Sequence, residues 1–182
     1  MKALIISSSL RRNSNSEILA SECARGIEAA GGEAEIVSLK DKDIGFCIGC
    51  LSCHKTLKCV LKDDTEELMA KVKAADALVF ATPLYFFELS GLLKTFLDRM
   101  NPLYAQEYSF RRVYMISAAA DDGEGIFDRA YNGLRGWVDC YPEAKLMGSL
   151  TAGGLTGPGE AAANEKYMKD AFAFGRMIAE AE

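Results

Sequence analysis

The sequence has 182 residues, of which 49% are hydrophobic and 26% are charged, and such a chain is typical of one globular domain with one substantial core. Its formal net charge of −5 argues against a nucleic-acid partner, because phosphate backbones attract basic surfaces. No stretch approaches the roughly 20 apolar residues of a membrane span, and the N-terminus lacks the pattern of a cleavable signal. We therefore expect a cytoplasmic protein with no membrane segment and a single domain over residues 1–182.

Apolar runs alternate with segments of helical period along the whole chain. This alternation is typical of an α/β protein in which helices cover both faces of a parallel sheet. The predicted strands are 2–7, 33–39, 77–81, 113–117 and 146–150. Five βα pairs thus predict a five-stranded parallel sheet in a three-layer sandwich.

The helices are predicted from apolar side chains spaced three and four residues apart. The first begins near Asn15, Ser90 is the expected cap of the helix after the third strand, and Gly157-Pro158 is expected to open the last helix. The remaining predicted helices are 63–74, where Asp63 and Glu66 have capping-box spacing, and 126–141.

The loop after the first strand is rich in hydroxyl and amide side chains. Five serines and two asparagines occur in the ten residues 7–16, at the edge where open α/β sheets bind ligands. The following helix N-terminus adds backbone N–H groups and a favourable dipole for an anion, and Arg11 can pair a phosphate through its guanidinium fork. An ordinary polar turn capped by Ser14 or Asn15 would explain the same composition. Neither G-x-G-x-x-G nor G-x-x-x-x-G-K occurs in this loop, which argues against a dinucleotide-binding Rossmann domain or an NTPase.

Residues 40–62, called the insert below, form a long connection without helical or strand period. Connections of this length inside a compact domain are usually functional or disordered. The insert contains Cys47, Cys50, Cys53 and Cys59 in the spacing C-x2-C-x2-C-x5-C. That spacing favours a polynuclear iron-sulfur cluster over zinc, whose structural sites usually draw paired ligands from two separated knuckles, but free thiols stay an alternative. His54, inside the motif, is expected to be a solvated surface residue.

Two further cysteines, Cys23 and Cys140, lie alone within helical patterns. Free cysteine is among the most frequently buried residue types. Both are therefore predicted to fill the core.

Three segments together resemble the NAD(P)H-dependent FMN reductases, and among them most closely the iron-sulfur flavoproteins. They are S-S-S-L-R-R-N-S-N-S at 7–16, the cysteine insert, and A-T-P-L-Y-F-F-E-L-S-G-L-L-K-T-F-L-D-R at 81–99. The resemblance extends from Met1 to about Asn101, and beyond that it depends only on the order of elements. It implies a flavodoxin-like fold, FMN in the loops after the first and third strands, and a [4Fe-4S] cluster on the four cysteines of the insert.

The resemblance also implies roles for individual residues. Those implied at the FMN phosphate are Ser7, Ser9, Arg11, Asn13, Ser14 and Ser16, and those implied along the isoalloxazine ring are Pro83, Leu84, Tyr85 and Phe86. The aromatic run at 85–87 is suited to flanking a flat heterocycle. The alternative, that these side chains belong to the core or to a dimer interface, is favoured for Phe87, whereas Pro83 and Tyr85 are expected at the flavin. Ala119 and Asp121, in the loop after the fourth strand, are further candidates at the ring edge.

The function expected from these features is electron transfer between FMN and the cluster by a flavin-dependent oxidoreductase. Electron or hydride transfer requires no acid–base side chain, and no catalytic residue is predicted. One alternative is an NAD(P)H-dependent FMN or quinone reductase without a cluster, and another is a non-catalytic metal- or thiol-sensing module. The expected partners are NAD(P)H or a redox protein, and a second copy of the chain in a homodimer or a higher homo-oligomer.

Overall fold

Five parallel strands form the centre of the molecule, in the order β2-β1-β3-β5-β6. The computed structural model describes residues 1–181, and Glu182, the last residue of the predicted domain, lies outside them. The strands are β1 (Lys2–Ser7), β2 (Glu33–Ser38), β3 (Ala77–Tyr85), β4 (Glu88–Leu89), β5 (Arg112–Ala118) and β6 (Lys145–Ala152). The two-residue β4 pairs antiparallel with the end of β3.

Helices cover both faces of this sheet. They are α1 (Asn15–Ala29), α2 (Cys53–Thr56), α3 (Thr65–Ala74), α4 (Gly91–Arg99), α5 (Asp128–Val138), α6 (Glu160–Ala163) and α7 (Glu165–Glu180), with a 3-10 turn at Asn101–Ala105. Alternate residues of β1 enter two separate cores, with Leu4 facing α3, α4 and α5 and Ile5 facing α1, α6 and α7. The predicted α/β sandwich with a five-stranded parallel sheet is confirmed. The sequence could predict it because central strands that are buried on both faces are apolar throughout.

The third strand is longer than its apolar run. It was predicted to stop at residue 81, but it continues to Tyr85 and turns through Phe86 and Phe87 into β4. Both phenylalanines have positive φ, 52° and 66°, as a two-residue hairpin turn requires. No glycine marks this turn in the sequence.

The helix starts observed in the structure agree with the prediction at α4 and differ from it at α3 and at the last helix. Ser90 caps α4 as predicted, its hydroxyl accepting from the Leu93 N–H at 3.2 Å. The capping box at Asp63 was wrong, because the Asp63 carboxylate binds Arg99 and the Thr65 N–H, and α3 begins only at Thr65. The last helix begins at Glu165, where the Asn164 side chain accepts from the Tyr167 N–H, and only the short α6 precedes it.

The two isolated cysteines have different environments. Cys23 is fully buried in α1, and burial raises the pKa of its thiol to about 12. The core prediction for Cys140 was wrong, because this residue is exposed. The helix expected over 126–141 ends at Val138, so Cys140 lies in the following turn, while Tyr141 turns inward.

Helices α1 and α7 pack against each other with almost no space between their backbones. A Cβ atom on Gly175 would lie 1.9 Å from the carbonyl oxygen of Cys23, and one on Gly26 would lie 2.1 Å from that of Phe172. Glycine is therefore required at both positions, and α1 is held firmly on the sheet. Within residues 1–181, none of the helices has the length and apolar character needed to cross a membrane.

Candidate functional site

An open pocket lies at the carboxyl edge of the sheet, where the end of β3 meets the loops after β1, β5 and β6. Its volume is ≈ 190 Å³, and it is called the loop pocket below. It is lined by Ser9, Arg11, Ser14, Asn15, Ser16, Pro83, Leu84, Tyr85, Ala118, Ala119, Ala120, Leu155 and Thr156. Eight of the twelve predicted flavin-site residues are therefore brought to one place. The other four, Ser7, Asn13, Phe86 and Asp121, are not among the lining residues.

Residues 7–16, the phosphate loop, contribute buried hydroxyl groups to the loop pocket. Ser9, Ser14 and Ser16 are at most 3% exposed, and the hydroxyls of Ser14 and Ser16 lie 3.0 Å apart. Ser14 is the N-cap residue of α1, yet its side chain accepts no capping hydrogen bond. Hydroxyls and the positive end of the α1 dipole are thus gathered where an anion would be stabilised.

Two predicted residues of the phosphate loop lie away from the pocket lining. Ser7 is completely buried at the end of β1, and its hydroxyl has no hydrogen-bond partner among residues 1–181. Asn13 is exposed with a φ of 52°, and its carbonyl oxygen accepts from the Gly159 N–H at 2.8 Å. Asn13 therefore shapes the loop through its backbone.

The glycine-rich segment 153–159 forms a wall that the sequence did not predict. Arg11 Nη1 donates to the Thr156 carbonyl at 3.0 Å. Asn15 Nδ2 donates to the Gly157 carbonyl at 2.8 Å, and Asn15 Oδ1 accepts from the Ala161 N–H at 3.0 Å. The available signal was the position of this segment directly after the fifth strand, at the same edge of the sheet as the phosphate loop.

The carboxyl end of β3 and the loop after β5 supply the apolar side of the pocket. Tyr85 lines it and is 51% exposed, whereas Phe86, at the tip of the hairpin, is 95% exposed and is not among the lining residues. Ala119 is buried in the lining. Asp121 is exposed, and its Oδ1 accepts from the Gly123 N–H at 2.9 Å within its own turn.

A second cavity, called the cysteine cavity below, brings the four insert cysteines together. It is lined by Cys47, Ile48, Cys50, Leu51, Cys53, Cys59, Val60, Leu61, Asp98, Arg99, Asn101 and Pro102. Cys47 and Cys50 are exposed, Cys53 is buried, and Cys59 is half-buried. Within residues 1–181, however, no three His, Cys, Asp or Glu side chains already surround a common point as metal ligands do.

The thiols of the insert differ in how readily they ionise. Hydrogen bonds from the backbone and side chain of Ser52 hold the pKa of Cys50 below its ordinary value. Burial raises the pKa of Cys53. His54 is exposed beside them.

A buried arginine attaches the insert to the end of α4. Arg99 is 1% exposed, and its guanidinium donates to Asp63 Oδ2 at 2.5 Å, to Asp63 Oδ1 at 3.0 Å and to the Gly45 carbonyl at 2.8 Å. Burial alone raises the pKa of Asp63, but the hydrogen bonds from Arg99, Thr65 and Gly45 outweigh it and hold this pKa well below its usual range. The ends of the insert are thereby fixed around an ion pair.

Helix α4 connects the two cavities. At its N-terminus the Ser90 hydroxyl donates to Ser8 Oγ at 2.9 Å, and the Ser90 N–H donates to Thr82 Oγ1 at 3.2 Å. At its C-terminus Arg99 lines the cysteine cavity. Nine helical residues, at about 1.5 Å each, therefore separate the phosphate loop from the insert.

Comparison with known proteins identifies relatives of this chain. The family model described as NADPH-dependent FMN reductase matches residues 1–161. An iron-sulfur flavoprotein of Archaeoglobus fulgidus is 31% identical over 185 aligned residues, covering 100% of this chain and 80% of that protein. An iron-sulfur flavoprotein of Methanocaldococcus jannaschii is 40% identical over 103 residues, 57% of this chain but only 53% of that protein.

A solved structure shares the fold. The NAD(P)H:quinone oxidoreductase from Methanothermobacter marburgensis matches with a TM-score of 0.75 at 19% identity, covering 100% of this chain and 98% of that one. At this level of identity, the likeness shows a shared fold alone.

Proposed function

The chain belongs to the family of NADPH-dependent FMN reductases, and we propose that it is an FMN-dependent oxidoreductase. We propose further that it holds FMN in the loop pocket and a [4Fe-4S] cluster in the cysteine cavity. The observation that carries the proposal is the meeting of four cysteines with cluster spacing at one cavity, joined by α4 to a hydroxyl-lined pocket. Bound FMN supplies two-electron chemistry with NAD(P)H and one-electron chemistry with a metal centre.

The phosphate end of the flavin is assigned to the phosphate loop. Ser9, Ser14 and Ser16 are buried donors beside the α1 N-terminus, and a helix N-terminus with free hydroxyls is a favourable anion site. Arg11 is the charged side chain among the residues that line this pocket, and its guanidinium can pair a phosphate. The hydroxyl of Ser7, at the base of the same loop, is buried and has no hydrogen-bond partner within residues 1–181. We propose that Ser7 orients the phosphate loop.

The ring end is assigned to the carboxyl end of β3. Pro83, Leu84 and Tyr85 line the pocket, and a pocket of ≈ 190 Å³ is smaller than the roughly 300 Å³ or more that usually encloses a whole ligand. We therefore assign the phosphate and its adjoining chain to the interior, and the ring to the open side along Tyr85. Ala119 lies on the same side of the pocket. We propose that Asn13 and Asp121 determine the shape of their loops and that Phe86 acts outside the pocket.

The cysteine cavity fits a cluster in its donor set. The ligand residues would be Cys47, Cys50, Cys53 and Cys59, and compact C-x2-C-x2-C spacing suits a cubane. Thiolates repel one another without a cation, so we expect the exposed Cys47 and Cys50 to move inward as metal binds. The name of both relatives, iron-sulfur flavoprotein, supports the same assignment.

A second candidate function is an NAD(P)H-dependent FMN or quinone reductase without a cluster. The observation that favours it is the family model over residues 1–161, which is described as NADPH-dependent FMN reductase. In either function we expect NAD(P)H as electron donor and a homodimer or higher oligomer. We also propose a reducing compartment such as the cytoplasm, since the six cysteines are unbridged.

Anaerobic purification followed by visible spectroscopy and iron and sulfide analysis tests the proposal. Flavin bands with broad brown absorbance and about four irons per chain are expected. Cys59→Ser should lose iron while keeping flavin, and Cys140→Ser, a cysteine outside the motif, should keep both. Yellow, iron-free protein that oxidises NAD(P)H would select the second candidate, and protein that takes up no FMN would overturn both.

A further inference from the structure

We propose that Arg99 and Asn101 are positioning residues of the cluster, fixing two of its four thiolates and setting its reduction potential. This inference rests on the proposed function of the cysteine cavity. It concerns two side chains that ligate nothing themselves, and it follows from hydrogen bonds to sulfur at the end of α4.

Two donors from one short segment reach two different cysteines. Arg99 Nη2 lies 3.4 Å from Cys59 Sγ, and Asn101 Nδ2 lies 3.5 Å from Cys53 Sγ. Both distances are within the range of a hydrogen bond to sulfur, whose larger radius lengthens the contact. The insert therefore meets a pair of N–H donors carried by the body of the fold, and Cys53 and Cys59 are its better-buried cysteines.

Arg99 is itself held rigidly. Its Nη1 and Nη2 atoms make four hydrogen bonds, to Asp63, Gly45 and Cys59, so the guanidinium cannot turn away from Cys59 without breaking a buried ion pair. Its remaining donor, the Nε–H, is buried and has no partner within residues 1–181. One N–H of a cavity-lining cation is thus left for a further acceptor.

Such donors act on a cluster in two ways. Outer-shell hydrogen bonds orient ligands and typically change metal affinity about 10- to 100-fold when removed. Hydrogen bonds to sulfur and nearby positive charge also raise the reduction potential, because they favour the more negative, reduced state. Arg99 and Asn101 each supply a hydrogen bond to sulfur, and the charge of Arg99 is balanced by Asp63.

The test measures iron retention and potential in the reconstituted full chain. Asn101→Leu should retain the cluster with a lowered midpoint potential. Arg99→Met, combined with Asp63→Asn so that no buried carboxylate is left unpaired, should release iron to a chelator roughly 10- to 100-fold faster. It should also lower the potential, because the hydrogen bond to Cys59 is lost, while the two opposite charges are removed together. Lys169→Met removes a charge from an exposed pair on α7, away from the cysteine cavity, and should leave iron release and potential unchanged.

The outcomes separate this inference from the function on which it depends. Unchanged iron release and potential in both variants would overturn the positioning role while leaving the cluster assignment intact. A wild-type chain that binds no iron would overturn both. If circular dichroism shows the double variant unfolded, Asn101→Leu decides, because Asn101 is partly exposed and its replacement leaves the Arg99–Asp63 pair in place.

Discussion

The loop pocket and the cysteine cavity are built in opposite ways. Around the loop pocket, Asn13, Asn15 and Arg11 bond directly to the segment that follows β6, and the strands and α1 beneath are closely packed. The cysteine cavity has a firm floor at Arg99 and Asp63, but two of its four thiols are on exposed chain without regular structure. One site is organised by the fold, and the other is left to be completed by its ligand.

This difference matches the chemistry of the two proposed groups. A phosphate monoester is recognised by dipoles and hydroxyls that are already oriented, because preorganised donors lose little entropy on binding. A metal cluster supplies its own geometry and can draw ligands together, so that ligand binding and folding of the segment are coupled. The comparison predicts that changes to packing will impair flavin binding, and changes near the insert will impair metal binding.

The largest effect is expected from breaking the ion pair beneath the cysteine cavity. Asp63→Asn would leave Arg99 buried without its counter-charge, which costs about 3–5 kcal/mol when one partner of such a pair is lost. The measurement is urea unfolding at pH 7. Because the folded-state pKa of Asp63 is lowered, its contribution should be complete above the ordinary carboxyl pKa of about 3.9 and should decline as the pH falls below it.

An exposed pair provides the control for this prediction. Lys166 and Asp170 form an i,i+4 pair at 2.6 Å on the outside of α7, and Asp170→Asn should lower the free energy of unfolding by only about 0.5 kcal/mol. Equal losses in the two variants would mean that burial of the Arg99–Asp63 pair has no energetic consequence.

The next largest effect concerns the packing that holds the loop pocket. Gly175→Ala places a Cβ 1.9 Å from the Cys23 carbonyl oxygen, and backbone cannot yield as a side chain can. We expect about 3 kcal/mol of destabilisation, with weaker FMN binding because α1 must shift and carries the phosphate loop with it. Iron content should be unaffected, since the insert is attached through Arg99 of α4, on the opposite face of the sheet.

Gly136→Ala is the matched control, measured by the same thermal and FMN titrations. Gly136 lies in α5, and the position that a Cβ atom would occupy there has nothing within 4 Å, so alanine should stabilise the chain by about 0.5–1 kcal/mol. A Gly175→Ala protein with wild-type stability and FMN affinity would show that α1 and α7 can separate freely.

A smaller effect is expected from the charge at the loop pocket. Arg11→Ala removes a charged donor worth about 1.5 kcal/mol, or roughly tenfold in affinity for FMN. Riboflavin, which has no phosphate, should bind with unchanged affinity, and replacement of the neighbouring Arg12, which does not line the pocket, should affect neither ligand. Equal weakening of FMN and riboflavin would contradict a phosphate role for Arg11.

The two sites also differ in how far the sequence could predict them. The strands were predictable because consecutive residues such as Leu4 and Ile5 are both apolar, although they face opposite sides of the sheet. The carboxyl ends of these strands then indicated where the phosphate loop lies. Asp63 had the spacing of a capping residue, but its carboxylate was taken by Arg99, 36 positions away. Local pattern contains no information about a partner at that distance.

The same limit applies to the wall formed by residues 153–159 and to Cys140. The wall exists because Asn15 bonds to Gly157 and Ala161, which are 142 and 146 positions away in the sequence, whereas locally Asn15 looks like a cap. Cys140 has helical spacing from the apolar positions of α5, but the helix ends before it, and apolar periodicity does not mark that end. Long-range hydrogen bonds and helix termini were therefore the features that sequence reasoning missed.

The smallest effect would test whether that wall is needed for the preorganised pocket. Asn15→Ala removes the two hydrogen bonds from this side chain to Gly157 and Ala161, and the freed segment should lower FMN affinity by about 1 kcal/mol, roughly fivefold. Isothermal titration with FMN measures this, with Asn132→Ala on the exposed face of α5 as control. Because the insert is anchored at the far end of α4, iron content should stay at the wild-type level; a parallel loss of iron would mean that the two sites are not built independently.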